Sequence, residues 1–367
     1  MSQRRLAYLE NRKVLGDSGE VTTSVTVRDP ITALWVELRA TNGSTSNKAN
    51  PVAAVLDEIS VVDGSDVLVS LDGYEAFAYG AYRLGYVPHQ LITEIESATQ
   101  NLYFPIFFGR WLGDVDLALD PTRFSNLQVR LKWNLSNVRA VGATGFATGS
   151  AQYTVVADVL EGVQAPSGVL TTKEHYLFTT GASGVEYVDL PTDYPHKALY
   201  IRSHEAGVGR LSGVSNLKVS CDNGKYVPFD MRADDLKRWA TLSSPPLHYR
   251  HGLKAANGNT VYFALKQDEQ VVYQAEVADA VVTAANNGIG EQTLNVYVAG
   301  TGSTTDRNIW ALVHGWMPWG TVYIPWGEWD DPNTWLSPTT YRSIRLEITQ
   351  DNAGATCAVV VEQARMY

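Results

Sequence analysis

Cysteine is nearly absent: Cys221 and Cys357 are the only two in 367 residues. That excludes the disulfide framework of small secreted domains, and the pair reads as two buried thiols. No stretch reaches the ~18 consecutive apolar residues that a membrane-spanning helix needs. The opening Met1-Ser2-Gln3-Arg4-Arg5 runs into charged and polar residues, so no secretory leader is expected and folding in a cytoplasm is. A long basic block is also missing, and the formal net charge is -10. A chain that wraps nucleic acid clusters its cations against phosphates, so the folded body is not expected to hold a genome. There is no Gly-x-Ser-x-Gly elbow, no phosphate-binding Gly-x-x-x-x-Gly-Lys loop and no His-Glu-x-x-His pair. With no nucleophile, base and orienter in sight, neither an enzyme nor a cofactor is expected. Helical periodicity is sparse, confined to Tyr74–Leu84 and Ala233–Ala240.

What remains is β pattern. Leu127-Gln128-Val129-Arg130-Leu131-Lys132-Trp133 alternates apolar and polar residues, as does Ile344-Arg345-Leu346-Glu347-Ile348. Further strand-like runs are Val21–Val27, Leu34–Leu38, Ile59–Val62, Tyr153–Val159, Ala198–Ile201, Val261–Leu265, Val271–Val277, Leu294–Val298 and Ala358–Val361. Asn42-Gly43, Asp63-Gly64, Asn223-Gly224, Asn257-Gly258 and Asn287-Gly288 supply turns between them. Short strands and turns over this length make an all-β sandwich or barrel architecture.

The runs occur twice. Pro30-x-x-Ala33-Leu34-Trp35-Val36 returns as Pro195-x-x-Ala198-Leu199-Tyr200-Ile201. Ile59-x-Val61-x-Asp63-Gly64, then Val69-x-Leu71-Asp72, returns as Leu217-x-Val219, Asp222-Asn223-Gly224, then Val227-x-Phe229-Asp230. Tyr103-Phe104-Pro105 returns as Tyr323-Ile324-Pro325. Leu119-x-Pro121-Thr122-x-Phe124, leading into Leu127–Leu131, returns as Leu336-x-Pro338-Thr339-x-Tyr341, leading into Ile344–Ile348. Four matches in one order mean two copies of one β domain, far longer than a solenoid repeat. The expected organisation is an N-terminal arm at 1–20, a first domain at 21–164 and a second at 165–367. The second carries an insertion at about 243–310, and Ala165-Pro166-Ser167-Gly168 reads as the linker.

On these blocks the chain resembles the double jelly-roll major capsid proteins of the adenovirus and tailless icosahedral bacteriophage lineage. Leu56–Ser65, running through Leu71-Asp72-Gly73 into a short helix, is similar to the early strands of such a first roll. Tyr103–Arg110 with Leu119–Leu131 is similar to its central strands. Gly184–Pro191 and Leu217–Asp230 match in the second roll. The resemblance covers about residues 20–367 and implies two tandem eight-stranded jelly-roll β-sandwiches with a few short helices. It also implies a structural role: a homotrimer whose six rolls make a pseudo-hexameric capsomer that tiles an icosahedral virion shell, assembled in the host cytoplasm. Its partners would be itself, neighbouring capsomers and a separate vertex protein. The insertion would be an outward tower, and the termini would face inward.

Individual candidates are weighed against plainer readings. Trp310, Trp316, Trp319, Trp326, Trp329 and Trp335 crowd one segment. They suit core and trimer-interface packing, since the first copy carries aromatics at the same place; the other reading is a sugar-binding platform. Arg4, Arg5, Arg12 and Lys13 make the first segment basic. It is either an arm on the inner surface, touching an internal membrane or genome, or a frayed terminus. Asp114, Asp116 and Asp120, and Glu328, Asp330 and Asp331, lack calcium-loop spacing and read as turn caps. His248-x-x-His251, between Pro246 and Gly252, reads as loop and not as a zinc site. Asn42-Gly43-Ser44 and Asn134-Leu135-Ser136 read as ordinary turns. Two rivals stand beside the capsid reading: a carbohydrate-binding or glycan-cleaving double β-sandwich using Trp310–Trp335, and a virion spike, against which stands the absence of fibrous repeats.

Overall fold

The computed structural model describes residues 3–44, 51–87, 91–137, 145–205, 211–255, 259–275, 280–286, 291–298, 307–338 and 340–367. Thr339 and the turns expected at Asn257-Gly258 and Asn287-Gly288 lie outside the described residues.

The first half supplies β1 (Gln3–Val14), β2 (Ser18–Ser24), β3 (Ile31–Thr41), α1 (Val52–Val55), β4 (Leu56–Asp63), β5 (Asp66–Leu71) and α2 (Gly73–Leu84). It continues with β6 (Ile92–Thr93), β7 (Thr99–Phe107), β8 (Leu127–Asn134) and β9 (Gln152–Glu161). The second half begins with β10 (Gly168–Thr179), β11 (Gly184–Asp189), β12 (His196–His204), β13 (Val214–Cys221), β14 (Tyr226–Arg232) and α3 (Ala233–Ser243). The insertion follows as β15 (Leu247–Ala255), β16 (Asn259–Tyr262), β17 (Leu265–Ala275), β18 (Ala280–Asn286), β19 (Glu291–Val298) and β20 (Arg307–Pro318). The chain closes with β21 (Thr321–Pro325), β22 (Ile344–Gln350) and β23 (Thr356–Met366).

Each half folds its own strands into two four-stranded layers. In the first they run β1-β9-β3-β7 and β2-β8-β4-β5; in the second, β10-β23-β12-β21 and β11-β22-β13-β14. These are two eight-stranded jelly rolls with one topology. The repeat extends to the irregularities. A bulge falls between Ile31 and Ala33 against β9, and again between His196 and Ala198 against β23. The bridge Ile31–Leu119 returns as His196–Leu336. A parallel pairing of β5 with β10, Val69 opposite Thr172, fuses the two rolls through one eight-stranded sheet.

Alternation explains the cores. Leu127, Val129, Leu131 and Trp133 of β8 face one cluster, and Ile344, Leu346 and Ile348 of β22 face another. The α2 helix stops and starts on local chemistry. Asp72 and Glu75 form a reciprocal capping box at its start, and Gly85 closes it in the left-handed conformation. Gly80 lets α2 lie against β7, for a Cβ there would sit 2.6 Å from Pro105 Cγ. Gly80→Val is expected to cost about 1–3 kcal/mol by overpacking. A thermal midpoint equal to wild type would contradict that contact.

Three expectations change. Residues 3–14 are not an arm but strand β1, paired along its length with β9. Val261–Leu265 is not one strand: β16 ends at Tyr262, and buried Phe263 and Ala264 separate it from β17. His248 and His251 lie on strand β15, not in a loop, because Gly252 admits Thr93 and Trp310 side by side. The insertion is rooted on the first roll: β15 pairs with β6, and Leu247, Tyr249, Phe263 and Val313 join the first-roll cluster.

Candidate functional site: the seam between the rolls

The outer face of the second roll's β10-β23-β12-β21 layer would be solvent-facing in a lone roll. Here α2 of the first roll covers it. Tyr79 packs on Tyr200 with ring centres 5.4 Å apart, and Tyr82 stacks on Tyr323 at 5.5 Å. The Tyr82 hydroxyl donates to the Thr321 carbonyl (2.7 Å) and the Tyr79 hydroxyl to that of Phe107 (3.2 Å).

At the centre of the seam lies a buried ionic triad. Arg83 sits 3.1 Å from one Glu362 oxygen, and Lys197 donates to the other at 3.2 Å. The Tyr200 hydroxyl also donates to Glu362, at 3.1 Å. Lys197 lies 3.6 Å from the centre of the Trp329 ring, and the Arg83 guanidinium 4.8 Å from it. Burial opposes the Glu362 charge, yet Arg83 and Lys197 hold its carboxyl below the ordinary carboxylate range. Two cations share one anion, and Lys197 is the one that yields. Burial, then Arg83, pushes its ammonium down to about 7, with Glu362 opposing.

That shift has a sign. An unfolded lysine keeps its proton to about pH 10.4, so between about 7 and that value the folded chain binds fewer protons than the unfolded one. Stability from this group therefore rises with pH across that window. Lys197→Met is expected to flatten the rise measured between pH 7 and 10. An unchanged slope would show that Lys197 does not titrate there.

Two more ion clusters flank the triad. Arg202 of β12 reaches Asp72 at 2.6 Å and Glu75 at 3.8 Å, tying the start of α2 to the second roll. Burial, then Asp72, drives the Glu75 carboxyl well up, with Arg202 opposing. On the other side Arg110 pairs with Asp114 and Asp116, both at 2.8 Å, and donates to the Asp330 carbonyl at 2.7 Å. Trp329 returns a bond from its indole nitrogen to the Arg110 carbonyl at 3.2 Å. The site fastens one roll to the other. Among the described residues no three of His, Cys, Asp or Glu converge as metal ligands.

The residues singled out in the sequence fall elsewhere or are scattered. Trp319 is in the first-roll cluster against Tyr74, Trp326 in the second-roll cluster, and Trp335 in a third with Leu117 and Leu170. Trp316 donates to the Ser244 carbonyl, and Trp310 carries Arg250 over its ring at 4.0 Å. Trp329 reaches the centre of the seam, and Trp319 packs on Tyr74 and Phe77 of α2. Such dispersal builds no sugar platform. Arg4 binds buried Asp158, Arg5 meets Glu161, and Lys13 lies 3.4 Å from Glu10. Arg12 has a left-handed backbone at a β1 irregularity, and its amide donates to Thr154. Asp120 and Asp331 cap short 3-10 turns, as their spacing implies. The seam's own residues, Arg83, Lys197, Arg202 and Glu362, were not singled out. Their signal is a charge inside an apolar run, as in Ala358-Val359-Val360-Val361-Glu362.

No family model and no curated protein matches the chain. Solved structures do. The STIV MCP, from Sulfolobus Turreted Icosahedral Virus, aligns over 99% of this chain and 97% of its own, at TM-score 0.60 and 10% identity. The fold is that of the double jelly-roll capsid proteins. PBCV-1 VP54, fitted into a reconstruction of the virophage Sputnik, aligns over 100% and 95% at TM-score 0.58 and 11% identity. The major capsid protein P2 of bacteriophage PM2 aligns over 100% and 98% at TM-score 0.54 and 9% identity.

Proposed function

We propose that this double jelly-roll chain is a structural major capsid protein, present in the virion shell and without catalytic activity. The observation that carries the reading is end-to-end correspondence: two fused rolls of one topology, aligned over nearly the whole of chains described as capsid proteins. Three copies form a pseudo-hexameric capsomer, and capsomers tile an icosahedral shell assembled in the host cytoplasm. Neighbouring capsomers and a separate vertex protein are the implied partners. Any contact with an internal membrane or genome falls to the exposed side chains of β1, since residues 3–14 are held in the sheet. The Trp319, Trp326 and Trp335 side chains serve the cores of the capsomer. Negative-stain imaging of the purified protein tests the reading. Particles of pseudo-hexagonal outline, or shells, are expected; uniform two-lobed single chains would contradict it.

A further inference from the structure

The intrachain seam has an unfilled counterpart at each end of the molecule. Strand register fixes the correspondence. Tyr200 pairs with Val360 and Tyr323 as Trp35 pairs with Val156 and Pro105. Arg202 opposite Ala358 matches Glu37 opposite Thr154. Leu217 opposite Met231, with α3 next, matches Ile59 opposite Leu71, with α2 next. Helix position then equates Asp72 with Arg232, Tyr79 with Trp239 and Tyr82 with Leu242.

Burial differs at five of the matched places. Tyr79 and Tyr200 are buried, whereas Trp239 and Trp35 are half-buried. Tyr82 is packed on Tyr323, whereas Leu242 is 86% exposed. Val360 is covered and Val156 half-covered. On β10, Thr172 is buried opposite Val69 of β5, whereas its counterpart Leu6 on the edge strand β1 is 64% exposed, and beside Leu6 stands Tyr8 at 67%. The first roll thus leaves bare the β1-β9-β3 part of the sheet face that α2 covers on the second. The second roll leaves bare the helix face that does the covering. The charge at the helix start is reversed: Asp72 meets Arg202 inside the chain, whereas Arg232 stands exposed at its place on α3 and pairs with Asp235, and the buried Glu37 holds the place of Arg202.

We infer that the occupant is a second copy of this chain: α3 of one copy lies across the β1-β9-β3 face of the next, repeating between copies the seam that α2 makes within one. The contact is head-to-tail, so identical copies close into a ring only by rotation. The inference rests on the capsid reading and adds to it which surfaces join. Tyr8, Trp35 and Val156 receive Trp239 and Leu242.

The test uses the full chain. A benzophenone attached at Leu242→Cys, in assemblies mixed from isotopically light and heavy chains, is expected to cross-link to residues 3–14 or 31–41 of another copy. Leu242→Asp and Tyr8→Asp, both at exposed positions, are each expected to drop the assembly from three chain masses to one at micromolar concentration. Their far-ultraviolet circular dichroism should match wild type. Cross-links to another surface, or variants that still assemble, would overturn the seam and leave the trimer standing. A wild type that is monomeric would overturn the seam and the capsid reading together.

Discussion

Glu362→Leu is expected to lower stability by about 3–5 kcal/mol, the cost of stripping one partner from a buried ionic group. The loss would be read as a fall in the urea midpoint. Among the described residues, Glu362 is the one anion that pairs with both Arg83 and Lys197 at the seam. When it goes, Lys197 has a way out, since its ammonium already sits at about 7. Arg83 has none, because a guanidinium does not give up its proton. The residual penalty therefore falls on Arg83, and Arg83→Met in the Glu362→Leu background is expected to recover much of it. If the double variant lost the sum of the two single losses, the two side chains would not be coupled and the triad would be a coincidence of position.

Arg202→Met is expected to have a comparable effect for the opposite reason. It leaves Asp72 and Glu75 beside Glu174 with no cation. Glu75 is already driven up by burial, so removing Arg202 raises it further. A carboxyl whose folded pKa lies above its unfolded value binds its proton more tightly in the folded state. Stability then falls as pH rises from about 4.3, the unfolded glutamate value, to the raised folded value. The variant should lose about 3–5 kcal/mol near neutrality and recover part of it toward pH 5. A loss independent of pH would mean that packing against Tyr74, not charge, is what Arg202 contributes.

Much of this architecture is legible in the sequence, because alternation and turn chemistry are local and are repeated. Leu127–Trp133 and Ile344–Ile348 show their inward faces in the letters alone. Two matches, however, were out of step. By its letters Tyr103-Phe104-Pro105 matches Tyr323-Ile324-Pro325, but strand register puts Pro105 opposite Trp35 where Tyr323 is opposite Tyr200. Asp72 was aligned with Asp230, yet the helix cap it forms corresponds to Arg232. Both slips are of two residues, the one error that leaves every side chain on its proper face. That slip also hid the charge reversal between Asp72 and Arg232.

Strand β1 was unreadable for a different reason. With both of its faces largely exposed, it has no alternation to display, and its arginines looked like a tail. The tryptophans crowded in the sequence do not meet, because density along the chain is not density in space: Trp319, Trp326 and Trp335 enter three separate buried clusters. The ionic triad joins Arg83 to Glu362 across most of the sequence, and no local pattern announces such a contact.

On the proposed function, two fused rolls make a chain built to assemble with itself three at a time. Light scattering on the purified full-length protein measures this most directly. The account predicts a stable species of three chain masses at micromolar concentration, persisting on dilution. A single chain mass under the same conditions, with the fold intact by circular dichroism, would contradict it.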